Sequence, residues 1–406
     1  MNDRRVNFIV LAAAVSVLSA GGARAQFTLL HSFSGSDGAS PYYGGPIVEG
    51  STLYGTANFG GDDYGGVVFS MNTDGSDYTV LHNFASTATD GAYPLGSLAL
   101  SGSTLYGTTY GGGTGGAYGD GTIFSVNTDG TSYQTLYSFD GTAGYNPFGG
   151  VTVSGSTLYG MTWASSGGDG SIYSVNTDGT GYATLHNFTG SASDGSSPVG
   201  GTMTLIGTTL YGLTANGGPS NNGVTFAINI NGSGYMNLVN FAGGSDGANP
   251  YGSLTLVGTK LYGLTTYGGS AGDGTVFSVN LDGSGYTSLY SFTGGAGGGA
   301  NPNGSLTLVG STLYGTTANG GCSNNGVVFG ISLNGGGYTN LYSFTGGADG
   351  ANPDGDLTAV GNTLYGWTSA GGSANDGTVF AVTIPEPGAY LLVAGGLAVL
   401  LFRKRR

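Results

Sequence analysis

The chain has 406 residues, among them 86 Gly, 11 Pro, 27 Tyr and 18 Phe, and only 7% are charged. Its glycines lack the strict triplet order of collagen, and 12% aromatics is too many for a solvated disordered chain, so they read as punctuation between strands. Residues 26–384 carry 20 acids against one base, Lys260, a net charge of −19 that argues against a nucleic-acid partner, because neutralising phosphates takes Lys and Arg.

At the N-terminus, Arg4 and Arg5 precede an apolar stretch from Phe8 to Leu18, followed by small residues and Ala23-Arg24-Ala25. This is the order of a secretory signal, with cleavage expected after Ala25, which makes residues 1–25 a signal peptide. The apolar run is short of the ~20 residues that span a bilayer, so a permanent anchor is the weaker reading.

The middle, residues 26–384, is a repeat. Leu-Tyr-Gly recurs with its tyrosine at Tyr54, Tyr106, Tyr159, Tyr211, Tyr262, Tyr314 and Tyr365, spaced 51 to 53 residues apart. Each unit holds four short runs of strand chemistry bounded by turn residues. Around Tyr262 these are strand a, Leu254 to Val257; strand b, Thr259 to Thr265; strand c, Thr275 to Asn280; and strand d, Tyr286 to Phe292. Gly258 turns a into b, and Asp-Gly hairpin signals such as Asp282-Gly283, Asp74-Gly75, Asp129-Gly130 and Asp178-Gly179 turn c into d. Four antiparallel strands per unit is the anatomy of a propeller blade. The last unit stops after strand c, Thr378 to Thr383, while the mature chain opens with a lone d strand, Phe27 to Phe33. The expected fold is therefore all-β: a seven-bladed β-propeller whose ring is closed by the N-terminal strand 27–33 joining the last blade, leaving no sheet edge open.

Candidate chemistry is judged against that repeat. His31, His82 and His186 share one position of strand d, where other units have Tyr137, Val239, Tyr290 or Tyr342, and equivalent positions in separate blades do not converge on a metal. Cys322 has no activating base in its own unit, and a single cysteine rules out a disulfide framework or a multi-cysteine metal site within the chain. Asp120, Asp169, Asp273 and Asp376 precede strand c and exchange with Asn222 and Asn325, the behaviour of side chains that cap turns. Asp37, Asp90, Asp194, Asp246 and Asp349 open the loop before strand a, usually as Asp-Gly-Ala-x-Pro. They have two readings: turn chemistry, or metal ligation with calcium as the cofactor that carboxylate and carbonyl oxygens from loops would suit. No unit carries the D-x-D-x-D-G order of a dedicated calcium loop, so a site would have to be assembled from neighbouring loops.

The a–b and c–d turns are short, whereas the b–c and d–a loops are long, variable and expected on the opposite face, where Tyr42, Tyr43, Phe59, Tyr64, Tyr93, Tyr110, Tyr118, Tyr145, Phe148, Tyr251 and Tyr267 would be placed to stack on sugar rings or to pack loops against neighbouring blades. An enzyme is not expected. A glycosidase needs two carboxylates about 5 to 10 Å apart, Glu49 is the domain's single Glu, and no blade breaks its pattern with a distinctive acid, base or nucleophile cluster. The expectation is a non-catalytic binding or adhesion module, with a ligand-free envelope spacer and, last, a polysaccharide-active enzyme as alternatives.

Residues 385–406 form a tripartite tail: Pro385-Glu386-Pro387, an apolar run at 389–402, and Arg403-Lys404-Arg405-Arg406. Basic residues after an apolar run stay on the cytoplasmic side. The tail resembles the PEP-CTERM sorting signal of Gram-negative bacteria. That resemblance implies recognition by an exosortase-type membrane protease, removal of the short hydrophobic helix after transient membrane contact, and delivery to the cell surface or the extracellular space, often with exopolysaccharide.

The repeat, too, resembles a known family. Units of the form G-x-T-L-Y-G-x-T-x-x-G-G, then G-x-V-F-x-V-N-x-D-G, then Y-x-x-L-[HY]-[SN]-F, running over 27–383, are similar to the GloVer tandem repeat of bacterial surface proteins. This implies an architecture and a surface address but no mechanism. A looser similarity to kelch repeats rests on Gly60-Gly61, Gly217-Gly218, Gly268-Gly269, Gly320-Gly321 and Gly371-Gly372. The kelch tryptophan is replaced by tyrosine, as in Tyr286 and Tyr338.

Overall fold

A computed structural model describes residues 25–115, 119–142 and 144–385. The expected signal peptide through Arg24 and the tail from Glu386 onward lie outside the described residues, as does Tyr118. Ala25–Ile384 is one compact unit.

The described residues form seven four-stranded antiparallel sheets, the blades of a propeller, and three two-stranded ribbons. Blades 1 to 6 span residues 47–83, 99–138, 152–187, 204–240, 248–291 and 307–343, each running a-b-c-d. Blade 7 takes strands a to c from 358–383 and its outer strand from Gln26–Ser32, which pairs with Thr378–Thr383 in the register Phe27↔Val382, Leu29↔Phe380. The expected closure is thus present. Strand a is only three residues long except in blade 5, where Ala248–Val257 is continuous. Elsewhere the same segment breaks, and its start forms the small ribbons, such as Gly91–Ala92 with Gly111–Gly112.

The Leu-Tyr-Gly motif follows from how blades face one another. Leu261 is fully buried and Tyr262 is turned to the opposite face, into the junction with the next blade, as alternation along a strand requires. Gly263 lies opposite Phe277 of strand c, and a Cβ on it would come within 2.5 Å of that ring. Glycine here leaves the space that the phenyl ring fills. The apolar core is therefore distributed: seven buried clusters, each shared by two adjacent blades, such as Phe241 and Val239 of blade 4 with Leu254, Phe277 and Val279 of blade 5.

Two further devices repeat around the ring. The first is an aromatic stack between outer strands. His31 stacks on Tyr78, His82 on Tyr133, Tyr137 on Tyr182, His186 on Tyr235, Tyr290 on Tyr338 and Tyr342 on Phe27, with centroids 3.5 to 4.6 Å apart and planes within 12°. At the remaining junction Val239 and Tyr286 share the apolar cluster instead. The second is the residue before the loop proline. Asn249, Asn301 and Asn352 adopt φ of 52 to 55°, the left-handed region that asparagine tolerates. Each donates its backbone N–H to the preceding blade at Asn222, Asp273 or Asn325 (2.8 to 2.9 Å) and its amide to a second carbonyl of that blade. Asp and Asn exchange freely before strand c because the backbone carbonyl of that residue is what the neighbouring blade uses.

Candidate functional site

The seven inner strands surround the propeller axis, and the loops entering them share a pattern of proline, a variable residue, glycine and a small residue. In blades 5, 6 and 7 this reads Pro250-Tyr251-Gly252-Ser253, Pro302-Asn303-Gly304-Ser305 and Pro353-Asp354-Gly355-Asp356. The small residues face a cavity of about 360 Å3 on the axis, lined in part by Gly45, Ser97, Ser253, Ser305 and Asp356. Backbone N–H groups bridge blades here: Thr202 donates to the Ser253 hydroxyl (2.8 Å), Ser253 to that of Ser305 (2.7 Å), and Ser305 to the Asp356 carboxylate (2.6 Å). The Thr204 and Thr255 hydroxyls likewise donate to Leu254 and Leu306 carbonyls in the next blade.

The variable position makes one end of the axis two-sided. Blades 1, 2, 3 and 5 place Tyr43, Leu95, Phe148 and Tyr251 there and blade 4 places Gly200, whereas blades 6 and 7 place Asn303 and Asp354. Tyr43 lies 5.1 Å from Phe148 of the loop into blade 3 and 5.7 Å from Tyr251 of blade 5. Blades 1, 3 and 5 are not neighbours in the ring, so the three rings can meet only over the axis. The loops into blades 1 and 4 each have one residue more than the other five, Pro41-Tyr42-Tyr43-Gly44 and Pro198-Val199-Gly200-Gly201 against Pro250-Tyr251-Gly252, and in blade 1 the insertion adds Tyr42 ahead of Tyr43. Tyr43 sits at φ 31°, a conformation that bulky side chains seldom take, and Tyr42 meets it edge to face at 4.2 Å.

Beside this aromatic plug opens a cleft of about 260 Å3, lined by Tyr43, Tyr251, Thr266, Tyr267, Asn301, Asn303, Ala318 and Asn319. Its polar side is tied into a chain of hydrogen bonds. Thr266 Oγ1 donates to Asn303 Oδ1 (3.0 Å), Asn303 Nδ2 to Asp354 Oδ1 (3.1 Å), and Ser369 Oγ to Asp354 Oδ2 (2.9 Å). Asn319 Nδ2 donates to Asn301 Oδ1 (3.0 Å). Burial raises the carboxyl pKa of Asp354 despite the bonds from Ser369 and Asn303. Burial also lifts that of Asp356 to about 6, against the lowering bonds from Ser305 and Ser97.

The expected metal candidates lie elsewhere. Asp37, Asp90, Asp194, Asp246 and Asp349 sit one per blade in the outer d–a turns and are not brought together. Asp90 accepts from His82 Nε2 (3.2 Å), the Tyr133 hydroxyl (2.6 Å) and the Ala85 N–H (2.9 Å). Asp194 accepts from His186 Nε2, the Thr189 N–H and the Gly195 N–H, and Asp37 from His31 Nε2 and the Ser34 N–H. Asp349 accepts from the Tyr342 hydroxyl and the Thr345 N–H (2.9 Å each), and Asp246 offers its backbone carbonyl to the Tyr286 hydroxyl. Burial would raise the carboxyls of Asp90 and Asp194, but the bonds from histidine and tyrosine outweigh it and hold both below the usual carboxylate range. Among the described residues no three His, Cys, Asp or Glu side chains gather into a metal-binding group. Cys322 is exposed. No helix among the described residues is long and apolar enough to cross a membrane.

Asp354 and Asp356 are not among the residues that recur from unit to unit. The signal was in the register: with the seven loops laid over one another, the last two carry an amide and two carboxylates where the others have apolar or small residues. Here one blade does break its pattern with acids, although the two carboxylates point to separate partners.

Comparison with known proteins fits this architecture. Two oligogalacturonate lyase structures resemble the chain in fold. One, in complex with manganese, has a TM-score of 0.54 at 12% identity; the other, from Vibrio parahaemolyticus, has 0.55 at 10%; in both, 89% of this chain and 94% of the other are covered. A puromycin-hydrolyzing peptidase of Mycobacterium tuberculosis has a TM-score of 0.51 at 13% identity, over 83% of this chain and 52% of that one. At such identities the likeness is one of fold alone. No curated protein sequence matches the chain. The Gloeobacter/Verrucomicrobia repeat model matches residues 15–190, 114–308 and 245–394, and on that evidence, together with the blade pattern it describes, the chain belongs to the Gloeobacter/Verrucomicrobia repeat family.

Proposed function

We propose that this propeller is an exported, cell-surface or matrix-associated binding module that acts without catalysis, holding its ligand, an exopolysaccharide or another surface glycan, on the face of the long loops. The observation that carries this reading is the aromatic plug over the axis, with its adjoining cleft of amides and tyrosines. Rigid strands position it, and its loops alone depart from the repeat, the usual division between scaffold and binding surface. The address rests on the N-terminal signal pattern ending at Ala25 and on the Pro385-Glu386-Pro387 tail with its basic end, which favours exosortase processing.

A glycan array probed with the purified chain, run in calcium and again in chelator, tests the binding. Retention of polysaccharide by the protein supports the module, and complete indifference to every glycan and to intact cell surfaces overturns it. Loss of binding in chelator alone would show that binding requires a metal ion. Fractionation of the native host with Glu386→Ala tests the address: the variant should stay in the membrane while the parent reaches the surface or medium.

A further inference from the structure

Resting on the binding-module reading, we infer that the cleft between Tyr43, Tyr251 and Tyr267 on one side and Asn301, Asn303 and Asn319 on the other takes one ring of an uncharged sugar, and rejects uronic or sulfated ones.

Size sets the first limit. At about 260 Å3 the cleft is smaller than the ~300–1,000 Å3 of sites for drug-sized ligands, so it suits a single ring held within a longer chain. Its chemistry sets the second. A pyranose offers an apolar C–H face and an equatorial belt of hydroxyls. Tyrosine rings match the first, and Tyr267, 52% exposed, leaves its face free to stack. Amides match the second, since each offers two donors and an acceptor with two lone pairs. The bond that Asn303 accepts from Thr266 and those the amides donate to Asp354, Asn301 and the Thr266 carbonyl use only part of that capacity, so the amides are oriented yet still have donors and acceptors to give. A polar group already held in place loses little further freedom on binding.

Charge sets the third limit. Among the described residues no Lys or Arg lines the cleft, and the single Lys or Arg of residues 26–384, Lys260, lies at the a–b turn, the other end of strand b from Tyr267. The buried Asp354 stands directly behind Asn303. With 20 acids against that one base in residues 26–384, an anionic ring would find no cationic partner in the cleft and would meet like charge from the surface as a whole. The site therefore selects against the substrate class named for the lyases that share its fold.

Isothermal titration of the full-length chain with neutral cello-, manno- and galacto-oligosaccharides, beside oligogalacturonate at equal length, tests this. At least one neutral series should bind, and oligogalacturonate should bind at least tenfold more weakly, with the gap widening at low salt. Tyr267→Ala, at an exposed position that the fold does not need, should weaken neutral binding about tenfold, and Asn303→Asp should weaken it further. Neutral binding that survives both substitutions would place the sugar elsewhere on the face and overturn the inference while leaving the module intact. Oligogalacturonate bound as tightly as a neutral series would overturn the charge argument. Absence of binding to every glycan would overturn both.

Discussion

Tyr173 occupies the strand-c position that is Phe69, Phe124, Phe226, Phe277, Phe329 and Phe380 in the other blades, and its hydroxyl is buried with no hydrogen-bond partner among the described residues. A buried hydroxyl stripped of water without replacement costs about 1–3 kcal/mol. Tyr173→Phe is expected to raise the unfolding free energy by about 1 kcal/mol or more, read from a shift in the denaturant midpoint with an unchanged slope. In the opposite direction, Gly263→Ala drives a methyl into the Phe277 ring and should cost about 1–3 kcal/mol. The acids work against each other with pH. Asp90, Asp194 and Asp349 have carboxyls held below their ordinary range, so their stabilisation is present above about pH 4 and is lost as pH falls through their folded values. Asp356 is raised to about 6, so the folded chain holds its proton more tightly than the unfolded one. Its contribution is therefore full below about pH 4 and is lost as pH rises to about 6. Asp356→Asn should flatten that loss and raise the melting temperature at pH 7 relative to the parent, whereas Asp90→Asn should lower it.

Among the elements, the outer strand Gln26–Ser32 matters most, because it is the one sheet partner that comes from the far end of the sequence. Phe27 stacks on Tyr342 of blade 6 and lies against Phe380 of blade 7, so removing the strand opens the 6–7 junction, and loss of His31 breaks the stack on Tyr78 at the 7–1 junction. A chain lacking residues 26–32 is expected to unfold at lower temperature and over a broader transition by calorimetry, since a ring without closure becomes a row of blades with two free ends. The same strand explains why the histidines are structural. Each stands where tyrosine serves in other blades, stacked on the next blade's aromatic ring and bonded to a turn aspartate. Such pairs contribute about 0.5–1.5 kcal/mol beyond their buried area, so His82→Tyr should be tolerated and His82→Ala should not.

At the scale of the whole molecule, what the sequence by itself determined is the architecture. Seven copies of one unit, each with alternating strands, a glycine opposite an aromatic ring and Asp-Gly hairpins, leave few arrangements open. Strand count and the permuted d strand then require a closed ring of seven. These features are legible because they are local or periodic: alternation, turn chemistry and the repeat are written in neighbouring residues. The face carrying the long loops was legible too, since loop length varies there and nowhere else. The candidate site was not. Tyr43, Phe148 and Tyr251 come from loops about 100 residues apart, and their meeting over the axis depends on the radius of the closed ring. The outer aspartates left two readings open, turn chemistry or metal ligation, and the tertiary structure shows the oxygens of Asp90, Asp194 and Asp349 bonded to histidine, tyrosine and backbone donors. Asp354 and Asp356 fall outside the recurring positions of the repeat. Only the convergence of seven inner strands makes one a buried support for Asn303 and the other the lone carboxylate lining a cavity on the axis. Periodic sequence specifies the blade; departures from the period acquire meaning only when closure brings distant blades to a common axis.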